Sequence, residues 1–158
     1  MAVDGLGESS GKMRPPPKPA GMYAVEVTAA NDQRASKGGH TMIEFTYKII
    51  GLPPDVDFQG KNPLGRTAFE TIYIPTDRTL EWRKRNVDKY RNRVNAAGLD
   101  VENDKIVGGI AAFVGKRFAV AFQIRDGQDG EPQQDYGRAV PLSESPFAKA
   151  AAAKKHKG

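Results

Sequence analysis

Between Met22 and Leu142 the chain alternates apolar and polar residues with the two-residue period of a strand, interrupted once by a run with helical spacing. In the first run Tyr23, Val25 and Val27 share one face while Ala24, Glu26 and Thr28 share the other. Asn31 to Gly39 reads as a turn-rich loop that carries Arg34 and Lys37 and closes on Gly38 and Gly39. A second run follows directly, with Ile43, Phe45, Tyr47 and Ile49 toward a core and Met42, Glu44, Thr46 and Lys48 away from it. Gly51 to Arg66 is too broken by proline and glycine for regular structure and forms a long connection. Thr67 to Ile74 is rich in β-formers, yet its faces compete: if Ile72 and Ile74 point inward, Phe69 and Tyr73 are exposed.

After Pro75, Asp77 or Thr79 is placed to cap a helix running to about Ala97, with Gly98 as its stop. Leu80, Val87, Tyr90, Val94 and Ala97 fall within one arc of that helix, the stripe expected to plug a core. Asp100 to Gly109 reads as a loop and Gly115-Lys116 marks the start of a fourth strand, in which Phe118, Val120, Phe122 and Ile124 alternate with polar or small residues. A turn with Gly127 and Gly130 leads to a fifth, near Gln133 to Leu142.

Three strands, one helix and two strands are the order of a mainly β, five-stranded, partly open barrel of the OB type. Such barrels grip oligonucleotides across strands 2 and 3 and the adjoining loops. The expected domain spans 21–143. Residues 1–20, with Pro15, Pro16, Pro17 and Pro19, read as a flexible arm, and 144–158 as a basic Ala/Lys tail.

A net charge of +5 favours phosphate-rich partners. The absence of cysteine excludes disulfides and thiolate metal sites. No signal-peptide pattern and no run of about 18 apolar residues appears, which predicts a soluble intracellular protein with no membrane partner. His40 and His156 lack metal-ligand spacing, Asp55 and Asp57 lie on a Pro-rich loop, and there is neither a phosphate-binding Gly-Lys-Ser/Thr loop nor a nucleophile elbow. Binding without a cofactor is therefore expected, not catalysis.

The helix is the densest basic element: Arg83, Lys84, Arg85, Lys89, Arg91 and Arg93 stand against Glu81 and Asp88. Such a strip releases counterions from a nucleic acid, or is simply a solvated face. Trp82, the only tryptophan, falls beside Lys89 and Arg93 on the helical wheel, either to stack a base or to fold over the barrel end. Phe69 and Tyr73 flank Thr71 as two stacking rungs with Lys48 on the neighbouring strand, an arrangement that core packing rivals. Arg34 and Lys37 are placed to form a loop clamp. The candidate contacts are thus Arg34, Lys37, Lys48, Phe69, Tyr73, Trp82, Arg85, Lys89 and Arg93.

Gly21-Met22-Tyr23, the Lys37-Gly38-Gly39 loop before an Ile/Phe strand, Phe58-Gln59-Gly60, Ala96-Ala97-Gly98-Leu99 and Val114-Gly115-Lys116 complete the pattern. Together they resemble a family of small phage-encoded, OB-like single-stranded DNA-binding proteins, long catalogued as a domain of unknown function, over about Ala20 to Val140. The resemblance implies a protein of the bacterial host cytoplasm that coats single-stranded DNA in phage replication, recombination or repair. It also implies delivery of that DNA to a recombinase or another replication protein, and it leaves homo-oligomer formation open. The end departs from that pattern, because Lys149, Lys154, Lys155, His156 and Lys157 make it basic where many single-strand binders carry an acidic tip. A different reading of the same residues is a protein-interaction module whose basic helix meets an acidic partner.

Overall fold

A computed structural model describes residues 17–34, 40–60, 62–127 and 130–148. Five strands form one antiparallel sheet: β1 Gly21–Arg34, β2 Thr41–Gly51, β3 Thr67–Ile74, β4 Arg117–Asp126 and β5 Pro132–Val140. One helix, α1 Glu81–Ala96, separates β3 from β4. The spatial order is β3-β2-β1-β4-β5, so the long β1 serves both halves, pairing with β2 over Ala24 to Arg34 and with β4 over Gly21 to Glu26. This is a mainly β, OB-like arrangement with β3 and β5 as the free edges.

Register slips between Ala24 and Val25 and between Val27 and Ala29. Such bulges bend and twist a strand, which lets β1 curl the sheet into a trough. At the second slip the 115–116 turn closes on β1: the Gly115 amide donates to Val27 O at 2.8 Å and the Val27 amide donates to Lys116 O at 2.9 Å.

The predicted inward sets fill the trough. Tyr23, Val25, Val27, Ile43, Phe45, Tyr47, Ile49, Phe118, Val120 and Phe122 are all buried. Phe122 stacks on Tyr23 with ring centroids 4.1 Å apart, and Phe113 meets Phe45 edge-on at 4.7 Å. Ile124 departs from expectation at 46 % exposed, because β4 and β5 run on past the barrel end as a two-stranded ribbon. Phe113, within the segment between helix and β4, is a core residue delivered by a single 3-10 turn, Ile110–Phe113.

Several boundaries differ from expectation. Continuous pairing carries β1 to Arg34, so Asn31–Arg34 of the supposed Asn31–Gly39 loop is strand, and 35–39 lie outside the described residues. The 101–106 stretch, expected as loop, holds a two-residue hairpin, Val101–Glu102 with Lys105–Ile106, turned through Asn103 and Asp104 at positive φ. Asp77 does not cap α1; its carboxylate accepts from the Thr79 amide and hydroxyl, and the helix begins after Leu80 without a side-chain cap. The C-terminal stop is as expected: Gly98 takes φ +70 and the Leu99 amide donates to Val94 O, a Schellman closure. The packed unit also exceeds 21–143. The Lys18 amide donates to Gln134 Oε1, and Phe147 lies over Gly51 so closely that a Cβ there would sit 2.8 Å from its ring.

The open edges are joined by side chains rather than by a strand ladder. Glu70 points inward from β3 and is 2 % exposed; Arg93 of α1, fully buried, donates to it through Nε at 2.8 Å and through Nη2 at 2.6 Å. The same Nη2 donates to Gly137 O of β5 at 2.7 Å. Asn92 pairs with β5 as a strand would, its Nδ2 donating to Ala139 O and its Oδ1 accepting from the Ala139 amide. Asn86 donates to Tyr73 O at the far end of β3, and Lys18 Nζ donates to Thr67 O at its start. The apolar stripe of α1 is therefore half of its packing: Val94 is buried with Tyr90 and Ala97 against the core, while the Asn86–Lys89–Arg93 face stitches β3 to β5.

Candidate nucleic-acid interface

Burial alternates strictly along β3, with Ala68, Glu70 and Ile72 inside and Phe69, Thr71 and Tyr73 outside. That settles the competing faces of this strand in favour of exposed aromatics: Phe69 is 68 % exposed and Tyr73 45 %. Inward isoleucine and a charged Glu70 leave no room for them, because Glu70 is held by Arg93 and by the Tyr47 hydroxyl, which donates at 2.5 Å. Burial and then the Glu70 charge push the Tyr47 phenol well above its usual range, so it stays a donor.

The antiparallel register spreads the outer surface into rows. Gln33, Met42 and Tyr73 form one; Asn31, Glu44 and Thr71 the next; Ala29, Thr46 and Phe69 the third; Glu26, Lys48 and Thr67 the fourth. Phe69 and Tyr73 lie four residues apart on β3, roughly 13 Å at strand spacing, with only the small Thr71 between them. A shallow surface with two aromatic rungs results, and the Glu44 carboxylate, which accepts from Gln33 Nε2 at 3.1 Å, stands in the row between them.

Cations gather at its Thr67 end. Lys48 pairs across from Thr67 and is exposed, Lys18 Nζ lies on Thr67 O at 3.3 Å, and Arg66 precedes it. Burial and then the Arg66 charge hold the Lys18 ammonium below its usual range. Glu26 takes Arg117 from β4, with Nε to Oε1 at 2.7 Å. Lys18, Arg66 and Arg117 are absent from the residues expected from sequence. Lys18 sits in a Pro-rich arm and reaches Thr67 only through its side-chain bond to the Thr67 carbonyl, whereas Arg66, at the end of a broken loop, adjoins Thr67 along the chain.

The remaining expected contacts divide. Arg85 is exposed on α1. Lys89 is partly committed, at 3.6 Å from Glu70 and 3.8 Å from Asp135. Arg93 is corrected outright: no surface of it reaches solvent, since closure of the β3–β5 gap uses its guanidinium. Trp82 is half-buried and meets His40 edge-on at 5.5 Å, beside the start of β2. Arg34 ends β1 opposite Thr41, and Lys37 lies outside the described residues. The structure thus brings Lys48, Phe69 and Tyr73 onto one face, with Trp82 near the Tyr73 end, and sets Arg85 and Lys89 on the adjacent helix.

No protein-family model matches the chain, and no curated protein matches it in sequence. Among the described residues, no helix is long and apolar enough to cross a membrane.

Proposed function

We propose that this protein binds single-stranded DNA without strong sequence preference, across the outer face of β2 and β3. The observation that carries the reading is the pair Phe69 and Tyr73, outward-facing and exposed on the strand where OB-type barrels hold oligonucleotides. A base stacked on either ring gains about 1–3 kcal/mol irrespective of base identity. Lys48, Lys18 and Arg66 hold phosphates at one end, and Trp82 and Arg85 extend the path toward α1. The setting is phage DNA replication, recombination or repair in the cytoplasm of a bacterial host, as the family resemblance implies, with a recombinase or another replication protein receiving the DNA.

Titration with oligo-dT at about 50 mM salt, followed by Trp82 fluorescence and by mobility, tests it. Binding is expected, with an affinity that falls steeply as salt is added. F69A/Y73A should abolish most of it while leaving the fold intact, since both side chains are exposed. Absence of binding by the wild-type chain, or full binding by the double variant, would sink the proposal.

A further inference from the structure

A second site lies on the other side of α1. Here the helix and the 101–106 hairpin flank an open cleft of about 660 Å³. Its floor is aliphatic, made by Val87 and Val94 of the helix and Val101 and Ile106 of the hairpin, with the Tyr90 ring alongside. Arg78, Arg83 and Arg91 stand around it, with Asp104 as the only carboxylate in the lining. None of these arginines forms an ion pair among the described residues, whose ion pairs involve only Lys89, Arg93 and Arg117 as cations. Arg83 is held in place instead, its Nε donating to Pro75 O at 2.8 Å.

The cleft is distinct from the β2–β3 face. Tyr90 packs against Phe45 and Phe113, both inside the trough, and feels the charge of Asp32, which occupies an inward register position opposite Ile43. The aromatic rungs are on the outward side of the same strands.

We propose that this cleft docks a short acidic segment of a partner protein, one apolar side chain seated on the valine and isoleucine floor and flanking carboxylates held by Arg78, Arg83 and Arg91. Three unpaired guanidinium groups around an apolar floor call for an anion with an apolar body, and planar guanidinium pairs carboxylate in a fork. An aliphatic floor favours a side chain such as leucine over a nucleobase, which seeks an open π-face; the one ring here is already packed against the core. The chain's own end is no candidate, because Lys149, Lys154, Lys155 and Lys157 carry the wrong charge.

The probes are arrayed synthetic hexapeptides, each with three or four Asp or Glu and one or two Leu, Ile or Phe, alongside all-acidic and Lys-substituted counterparts. Acidic-apolar members should bind in fluorescence anisotropy, and R78E/R91E should weaken them at least tenfold. Both arginines are exposed, so the thermal midpoint of the variant should stay unchanged. V101D, altering a floor residue that is 51 % exposed, should act likewise. F69A/Y73A should leave peptide binding unchanged, which separates this site from the DNA reading. The proposal is overturned if no array member binds, if all-acidic peptides bind equally well, if R78E/R91E binds as wild type, or if dAMP displaces the peptides from the cleft at equal concentration.

Discussion

Replacing Arg93 with alanine should destabilise the protein far more than an exposed helical arginine would. The side chain is fully buried and donates two hydrogen bonds to Glu70, one to Gly137 O and one to Asn92 Oδ1. Its removal strands the Glu70 carboxylate, 2 % exposed, with the Tyr47 hydroxyl and a Lys89 ammonium 3.6 Å away. Breaking a buried pair in this way costs about 3–5 kcal/mol. Against a typical total of about 5–15 kcal/mol the loss is a large share of stability. The thermal midpoint should fall by on the order of 15 °C. E70Q should lose a comparable amount, because it leaves the guanidinium without a counter-charge.

The double variant E70Q/R93A removes both charges and should lose clearly less than the sum of the two single losses, by at least about 2 kcal/mol. Urea unfolding followed by Trp82 fluorescence and far-UV circular dichroism measures all four proteins. If R93A costs under about 1 kcal/mol, or the two losses simply add, the pair does not join β3 to β5 and the account of barrel closure fails.

Asn92→Ala removes both bonds to the Ala139 backbone and one partner of Arg93, and should cost about 2–3 kcal/mol by urea unfolding, whereas the exposed Arg85→Ala should cost almost nothing. Alanine at Phe69 or Tyr73 should weaken oligo-dT binding by about 1–3 kcal/mol each, read by anisotropy, with no change in thermal midpoint. K48A/R85A should flatten the plot of log affinity against log salt by about 1.4, since each lost phosphate contact removes about 0.7 from the slope on a single strand. In alkali, burial raises Tyr23 and Tyr90 to about 12 and pushes Tyr47 and Tyr136 above their ordinary range too. The unfolded phenols ionise near 10. Stability should therefore be complete below about pH 10 and decline as pH rises toward 12, and in a Y73F background, which removes the exposed phenol, tyrosinate absorbance should appear together with unfolding. Tyrosinate formation by that variant at full stability would contradict the burial.

Local pattern alone specified the strands, because a half-buried sheet demands a period of two and the runs at Tyr23, Ile43 and Phe118 offer no other. The same local rules located β3 to the residue and ended α1 at Gly98, where a positive φ suits glycine. They could not choose between the faces of β3. Isoleucine and aromatic residues are equally apolar, and the deciding element was Glu70, whose inward position makes sense only once Arg93 arrives from a helix 23 residues away. Arg93 itself looked like one more surface cation, since solvation and burial of an arginine are indistinguishable until its partner is known.

By itself, then, the sequence determined the OB-like order of elements, the apolar trough and a surplus of positive charge, all consequences of short-range periodicity and composition. The tertiary structure alone decided which aromatics stand outside, which cations cluster at Thr67 and around the Val87–Val101 cleft, and which one closes the barrel. Those are pairings across strands and between helix and hairpin, set by register and burial, and no local pattern encodes them.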